Sequence, residues 1–280
     1  MTQISILGCG WLGLPLAKAL LKNEFSVKGS TTSIEKLSVL KNSGIEPFLI
    51  VLTPTLSKGE EARTGNLTAF LENSKVLIID VPPKLRSSEK DPSTKLRKTF
   101  VEKIEILIPF IEKSSIEKVI FISSTSVYGE DNLVVTEETN LNPDTESGKQ
   151  LVQAEQLLQN NPKFKTTILR FGGLIGEDRH PIHFLAGRKN LDNPNAPINL
   201  IHQKDCIGII IKIIELDCWN ETFNAAAPFH PSRKEYYTQK AIDLNLDLPE
   251  FNLEIAVFGK TISSSKVENI LGYTFAKPKL

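Results

Sequence analysis

The stretch Gly8-Cys9-Gly10-Trp11-Leu12-Gly13 decides the fold of this chain. It follows the apolar run 4–7 and opens an amphipathic run. The pattern GxGxxG between a strand and a helix is typical of a dinucleotide-binding turn. In that turn Gly8 permits the sharp bend, Gly10 lets the backbone approach a pyrophosphate, and Gly13 lets the helix pack closely on the strand. The pattern therefore predicts a pyrophosphate held by the unsatisfied N–H groups of a helix N-terminus.

The composition fits a folded protein without a strong net charge. The 280 residues include 33 Lys and Arg against 33 Asp and Glu, and 40% are hydrophobic. This balance argues against a general binder of nucleic acid or anionic membranes, and the apolar content excludes a disordered chain. No apolar run reaches the roughly 18–20 residues of a membrane span. We therefore predict neither a nucleic-acid partner nor a membrane partner.

The cysteines indicate a reducing compartment. Cys9, Cys206 and Cys218 form no CxxC pair and no disulfide framework, which fits the cytoplasm. Cys9 lies within the glycine turn, where we expect a tolerated small residue rather than a redox group. No group of His, Cys, Asp and Glu has the spacing of metal ligands, so we predict no metal.

Apolar runs alternate with helical patterns through the first two-thirds of the chain, which predicts an α/β fold. We expect a Rossmann, doubly wound parallel sheet over residues 1–170 and a smaller, partly interleaved C-terminal region over residues 171–280. The predicted strands are residues 4–7, 25–29, 47–52, 76–80, 119–122 and 166–170. The predicted helices are residues 15–22, 33–42 (N-cap Ser33), 100–113, 148–159, 205–216 (N-cap Asp205) and 232–245, with an irregular loop over 179–199.

Candidate cofactor-binding residues follow the predicted strands. Ligands of a doubly wound sheet lie outside the carboxyl ends of its strands. The segments at those ends should therefore surround one ligand. Their candidate cofactor-binding residues are Gly8, Gly10, Trp11, Leu12, Gly13, Val81, Pro82, Pro83, Ser123, Phe171 and Gly172.

The end of the second strand favours NADP over NAD. An acidic side chain at this point binds the ribose 2′-hydroxyl of NAD, and its absence permits a 2′-phosphate. Here the segment offers Ser30, Thr31, Thr32 and, one turn into the next helix, Lys36. Hydroxyls, a helix N-terminus and a lysine suit a phosphate, although the arginine that usually binds it is missing.

Several motifs together resemble the extended short-chain dehydrogenase/reductase superfamily, of the NAD-dependent epimerase/dehydratase type. They are the glycine stretch and residues 123–129, 169–176, 199–205 and 223–225. A closer likeness, to an atypical YeeZ-like branch, rests on residues 11–13, 123–129, 176–181 and 263–266. The resemblance implies a Rossmann domain, bound NAD(P) and a C-terminal substrate lobe, without assigning a reaction.

The resemblance also implies a catalytic tyrosine with a lysine four residues later on one helix face. Aligned on Glu155, the tyrosine position holds Ser147 and the lysine position holds Leu151. A serine hydroxyl titrates far above neutral pH, so Ser147, although a candidate catalytic residue, cannot replace the tyrosine unaided. Lys149 points elsewhere on the helix, where we expect it to be solvated.

Two further catalytic candidates lie in the segment 123–129. Ser124 stands where the family places a Ser or Thr that hydrogen-bonds the substrate oxygen; the alternative is a serine that satisfies local backbone. Tyr128 could act as a substitute proton donor, but its role in the family is structural. Thr125 and Ser126 replace the Asp and Glu of sugar dehydratases, which argues against that reaction.

Candidate substrate residues follow the loop at Gly176. Arg179 lies where the family places an arginine near a substrate phosphate; the alternative is a solvated loop arginine. His180 is a candidate acid or base, since the ordinary pKa of histidine lies near neutral pH.

The sequence therefore favours a cytoplasmic NAD(P)-binding enzyme of the oxidoreductase or epimerase type. Its substrate would be a polar small molecule, nucleotide-linked or phosphorylated. The alternative is a non-catalytic NAD(P) sensor or protein-interaction module, which is what loss of the Tyr–Lys pair would leave. The sequence leaves a homodimer open.

Overall fold

A computed structural model describes residues 1–52, 60–83, 100–130, 134–253 and 259–280, with the backbone alone for residues 60–65. Its strands are β1 (Gln3–Leu7), β2 (Ser26–Thr31), β3 (Glu46–Leu49), β4 (Val76–Ile79), β5 (Lys118–Ser124), β6 (Val134–Val135), β7 (Lys165–Phe171), β8 (Gly173–Ile175), β9 (Leu200–His202), β10 (Thr222–Ala225) and β11 (Thr261–Ile262). Its helices are α1 (Gly13–Lys22), α2 (Glu35–Asn42), α3 (Glu60–Leu71), α4 (Phe100–Glu112), α5 (Glu146–Gln159), α6 (Ile182–Leu185), α7 (Gln203–Glu215), α8 (Arg233–Asp243) and α9 (Ser265–Leu271).

The main sheet has seven strands in the order β10-β7-β5-β4-β1-β2-β3. The pairs β1–β2, β1–β4, β2–β3 and β4–β5 are all parallel. The chain starts in the middle of the sheet, adds β2 and β3 on one side, and then crosses to add β4 on the other. This is the strand order of a doubly wound Rossmann sheet, which confirms the predicted fold class. The order reverses between β1 and β4, and ligands of such sheets bind at the carboxyl ends of these two strands.

The six predicted strands coincide with β1 to β5 and β7. Their apolar side chains form the core of the sheet, and Ile4, Ile6, Leu77, Ile78 and Ile120 are fully buried. Parallel strands are covered on both faces, so they appear in a sequence as continuous apolar runs. This is why the runs alone predicted these strands.

The predicted N-cap of α2 is wrong. The helix begins at Glu35, its N-cap is Ile34, and no side chain caps it. Ser33 instead donates its hydroxyl to the Glu35 carboxylate. The serine is displaced from the cap position because the backbone turns into the helix two residues later than predicted.

The loop predicted over residues 179–199 contains the one-turn helix α6. Short pairings that the sequence did not predict also occur: β8 pairs in parallel with β9, and β6 pairs in parallel with β11. Each of these strands has only two or three residues, and its partner lies far along the chain. No local periodicity reveals pairs of this kind.

Contacts divide the chain into two compact units. Unit 1 comprises residues 1–123, 145–169 and 213–222, and unit 2 comprises residues 124–144, 170–212 and 223–280. The sequence-based division at residue 170 differs in two stretches, because residues 124–144 belong to unit 2 and residues 213–222 to unit 1.

Asp205 has a different role from the predicted helix cap. Helix α7 begins at Gln203, so Asp205 lies inside its first turn and is fully buried. Its carboxylate accepts the hydroxyl of Tyr273 at 3.0 Å and the backbone N–H groups of Ala276 at 2.6 Å and Lys277 at 3.1 Å. Asp205 therefore holds the C-terminal segment of unit 2 on α7.

We expect Asp205→Ala to lower the free energy of unfolding by about 3 kcal/mol or more, because three hydrogen bonds to a buried carboxylate are lost. Urea unfolding measures the loss. The matched control is Asp192→Ala, at an exposed aspartate of the same unit, which should change stability by less than about 0.5 kcal/mol. Equal stability of the two variants would contradict the role of Asp205.

Candidate functional site

The turn between β1 and α1 is built around two glycines that accept no side chain. Gly8 has a φ of +108°, and a Cβ there would lie 2.3 Å from the carbonyl oxygen of Asp80. A Cβ on Gly13 would lie 2.2 Å from the carbonyl oxygen of Gly8. Both positions therefore require glycine, because a neighbouring backbone carbonyl occupies the space that a side chain would need.

Gly10 differs from these two glycines. A Cβ there would meet nothing within 4 Å, so Gly10 faces open space. The N-terminus of α1 next to it has no side-chain cap and no acidic residue in its first turn. The positive end of a helix attracts an anion. Open space beside the N-terminal end of α1 fits the pyrophosphate of a dinucleotide.

Asp80 lies against the glycine turn from the end of β4. Its carboxylate accepts the backbone N–H of Gly13, and burial raises its pKa to about 7. Cys9 is also buried, and its pKa is raised to about 12 by burial and by the charge of Asp80, which makes its thiol a poor nucleophile. Sequence reasoning missed Asp80, although an acidic residue directly after a buried apolar strand was a usable signal.

The NADP-specific candidates divide into two groups. Ser30 and Thr31 are buried: the Ser30 hydroxyl accepts the N–H of Gly8 at 2.9 Å, and the Thr31 hydroxyl accepts that of Ser33 at 3.1 Å. Thr32 and Lys36 are exposed. The buried pair therefore supports the glycine turn and the loop after β2, and only the exposed pair is open to a ligand.

The other unit 1 candidates surround the carboxyl ends of β4 and β5. The Val81 side chain lies beside Gly8, 3.1 Å from where a Cβ would be. Pro82 is exposed and Pro83 half-buried. The Ser123 hydroxyl is buried and donates to the Glu155 carboxylate, so it is already engaged within the unit.

Of the remaining glycine-turn candidates, Leu12 is buried and Trp11 is half-buried. On α5, Ser147 is half-buried in the first turn, and Leu151 is buried in the position where the family resemblance implies a lysine. Lys149 is exposed, as expected.

Unit 2 contains a cavity of about 480 Å³ with a mixed polar and apolar lining. Ser124, the predicted catalytic serine, is one of its lining residues. Its hydroxyl oxygen accepts the N–H of Ser126 at 3.2 Å and so caps a short 3₁₀ turn. That bond uses an oxygen lone pair and leaves the hydroxyl proton available to a ligand. Ser124 therefore satisfies local backbone, and its catalytic role stays a prediction.

The cavity also brings together polar residues that sequence reasoning missed. Lys260 is buried, and its ammonium group donates to Glu130 and to the backbone carbonyl of Tyr128, both at 2.8 Å. Arg233 and Tyr237 line the cavity from α8. These residues carry no motif, and only the fold of unit 2 brings them together.

Tyr128 has the geometry of a structural residue and is not among those that line the cavity. It is 1% exposed, and burial raises its pKa. Its hydroxyl donates to Asn224 at 2.8 Å and accepts from Arg170 at 2.6 Å. The Tyr128 hydroxyl therefore already donates one hydrogen bond and accepts another within unit 2.

Arg179 and His180 are also outside the cavity lining. Arg179 is exposed. The Nδ1 atom of His180 accepts the N–H of Ile182, which leaves the ring proton on Nε2, facing the Tyr236 hydroxyl at 2.8 Å. Burial, followed by the charge of Lys240, lowers the His180 pKa to about 4. The ring is therefore neutral at neutral pH.

Phe171 and Gly172 lie at the end of β7, within unit 2. Phe171 is buried. A Cβ on Gly172 would lie 2.5 Å from the carbonyl oxygen of Asn199, so close packing of the backbone requires glycine there. Both residues have clear packing roles.

Among the described residues, two kinds of feature are absent. No helix there combines the length and apolarity needed to cross a bilayer. No cluster of three or more His, Cys, Asp or Glu side chains is arranged to hold a metal ion there.

The chain is similar to proteins known from sequence and from structure. Protein YeeZ of Escherichia coli strain K12 is 34% identical over 279 residues, which is 99% of this chain and 97% of that protein. No family model matches the chain.

Two solved structures share the fold. UDP-glucuronic acid 4-epimerase from Bacillus cereus, in complex with NAD, has a TM-score of 0.78 at 19% identity, over 100% of this chain and 94% of the epimerase. A short-chain dehydrogenase/reductase superfamily protein from Agrobacterium tumefaciens, with bound NAD, has a TM-score of 0.76 at 17% identity, over 98% and 92% of the two chains.

Asp80 makes stability depend on pH. Its pKa in the folded protein is about 7, above the roughly 3.9 of an unperturbed aspartate, so folding favours the protonated form. The stabilisation is complete below about pH 4 and is lost as the pH rises through 7. We expect the stability of the wild type, relative to Asp80→Asn, to fall over this window and level off above it. Urea unfolding of both proteins at several pH values measures it, and a constant difference would contradict the assignment.

Proposed function

Because this chain belongs to the family of Protein YeeZ and has the fold of NAD-dependent epimerases and dehydrogenases/reductases, we propose that it is a nicotinamide-dependent oxidoreductase or epimerase acting on a polar small molecule. The observation that carries this proposal is the open space at Gly10 beside the N-terminal end of α1. A purely structural glycine turn has no need of that space.

The cofactor would bind at the glycine turn of unit 1, with its pyrophosphate at the N-terminus of α1. We propose NADP as the preferred form, because Thr32 and Lys36 are exposed after β2 and no acidic side chain stands at Ser30 or Thr31. Cys9, Cys206 and Cys218 are all free thiols, which supports a reducing cytoplasm.

The substrate would bind in the 480 Å³ cavity of unit 2. When bound, the nicotinamide supplies or accepts a hydride. Ser124 would donate its hydroxyl proton in a hydrogen bond to the reacting oxygen of the substrate, which stabilises negative charge as it develops there. The polar lining that includes Glu130, Arg233 and Lys260 suits a polar substrate.

The proton of the reaction needs a source other than the usual Tyr–Lys pair. Ser147 and the buried Leu151 occupy those two positions on α5. The Tyr128 hydroxyl is engaged on both sides, and His180 is neutral at neutral pH. We therefore propose a non-standard group, a bound water molecule or the substrate itself as the source.

A second candidate function is a non-catalytic NAD(P) sensor. The observation that favours it is Leu151, a buried apolar side chain in the position of the lysine that would hold the nicotinamide ribose. A sensor keeps the glycine turn but has no need of Ser124.

A screen of carbonyl compounds and sugar nucleotides distinguishes the two functions, if oxidation of NADPH and reduction of NADP are followed for a net redox reaction and conversion to the epimer for a redox-neutral one. With a substrate found, we expect Ser124→Ala to lower kcat by about 100-fold, because one donor to the reacting oxygen is lost. Ser124→Thr is the control that keeps a hydroxyl and should retain most of the activity. Turnover unaffected by Ser124→Ala would contradict its role, and cofactor binding without turnover on any compound would favour the sensor.

A further inference from the structure

The cavity of unit 2 contains a tyrosine and an arginine one turn apart on α8. Arg233 and Tyr237 are four residues apart, so both lie on the same face of the helix, and both line the cavity. The guanidinium carbon of Arg233 lies 5.8 Å from the centre of the Tyr237 ring. We propose that Arg233 and Tyr237 form a subsite for a carboxylate or phosphate group of the substrate. This inference rests on the proposed function only in naming the ligand a substrate.

Arg233 has a buried donor without a partner among the described residues. Its Nε atom is buried and has no hydrogen-bond partner in the described part of the chain. None of the ion pairs among the described residues includes its guanidinium. Its backbone is fixed, because its N–H donates to the carbonyl of Ala196 at 2.9 Å. A buried donor without a partner costs free energy, and an incoming anion would remove this cost.

Tyr237 offers a second donor from a rigid position. It is 5% exposed, and its ring packs with Ile198, Leu200 and Tyr236 in the apolar core of unit 2. Its hydroxyl has no hydrogen-bond partner within the described ranges. Burial raises its pKa, so the hydroxyl keeps its proton at neutral pH and can donate it to an anion.

The charged side chains that line the cavity carry a net charge of +1. Glu130 and Lys260 form an ion pair at 2.8 Å and neutralise each other. The nearest acidic residue along α8, Glu235, bonds to the hydroxyl and the N–H of Ser232 in the capping box of the helix. Among the described lining residues, Arg233 is therefore the cation without a carboxylate partner.

The chemistry of this pair defines the ligand. A guanidinium group presents parallel N–H donors that match two oxygens of a carboxylate or phosphate, and a neighbouring hydroxyl adds a third donor. A neutral sugar or an amine would leave the charge of Arg233 uncompensated. The subsite therefore selects substrates that carry an oxyanion.

Direct binding of anions tests this proposal without the cofactor or turnover. Inorganic phosphate and citrate are the probes, titrated by isothermal calorimetry at constant ionic strength. The variants are Arg233→Met, which removes the charge but keeps an apolar stem, and Tyr237→Phe, which removes the hydroxyl alone. The matched control is Lys234→Met, which removes the same charge from the exposed neighbouring residue.

We expect at least one probe to bind the wild type and Lys234→Met with similar affinity. Arg233→Met should weaken that binding by about 10- to 100-fold, and Tyr237→Phe by less. Phosphate alone would indicate a phosphorylated substrate, and citrate alone a carboxylate.

Binding that is unchanged in Arg233→Met, or no binding of either probe to the wild type, would overturn the subsite. Melting curves establish that each variant is folded. If Arg233→Met does not fold, Arg233→Lys replaces it, and unchanged binding in that variant and in Tyr237→Phe would overturn the proposal. A protein that binds these anions as predicted but binds no nicotinamide cofactor would contradict the proposed function and leave the subsite standing.

Discussion

The contact of backbone on backbone between Gly8, Gly13 and Asp80 is the constraint on which the rest of unit 1 depends. Cβ atoms at the two glycines would lie 2.3 Å and 2.2 Å from carbonyl oxygens, so no other residue fits either position. The contact brings the start of α1 against the ends of β1 and β4. Those two strands are where the order of the sheet reverses and where a doubly wound fold binds its ligand. The turn that packs α1 on the sheet therefore also lies where a doubly wound fold binds its ligand.

The glycine turn and the cavity of unit 2 depend on the sequence in different ways. The glycine turn needs only local sequence, because strand, turn and helix are consecutive. The cavity of unit 2 needs the whole fold, because Ser124, Lys260 and Arg233 come from distant parts of the chain. The first feature is shared with many nicotinamide-binding folds. The second contains Tyr237 and Arg233, whose Nε has no hydrogen-bond partner in the described part of the chain, and we propose that it selects the substrate.

The sequence predicted the elements that local patterns define. Apolar runs located β1 to β5 and β7, and the glycine pattern located the turn before α1. The pairing of β8 with β9 was not predictable, since strands of three residues have no usable period. Asp205 was read as a helix cap because Asp often begins a helix, whereas its partners lie about 70 residues later and appear only in the fold. Arg233 and Tyr237 likewise resemble ordinary helix residues until the cavity is seen.

The most direct test of the central claim is a fluorescence titration of NADPH against the wild type and Gly10→Ala. A Cβ at Gly10 meets no protein atom within 4 Å, so the variant should melt at the temperature of the wild type. The same Cβ would occupy the space assigned to the pyrophosphate. We predict saturable binding to the wild type and its loss in the folded variant. No binding of NADPH or NADH to the wild type, or equal binding to both proteins, would contradict the account.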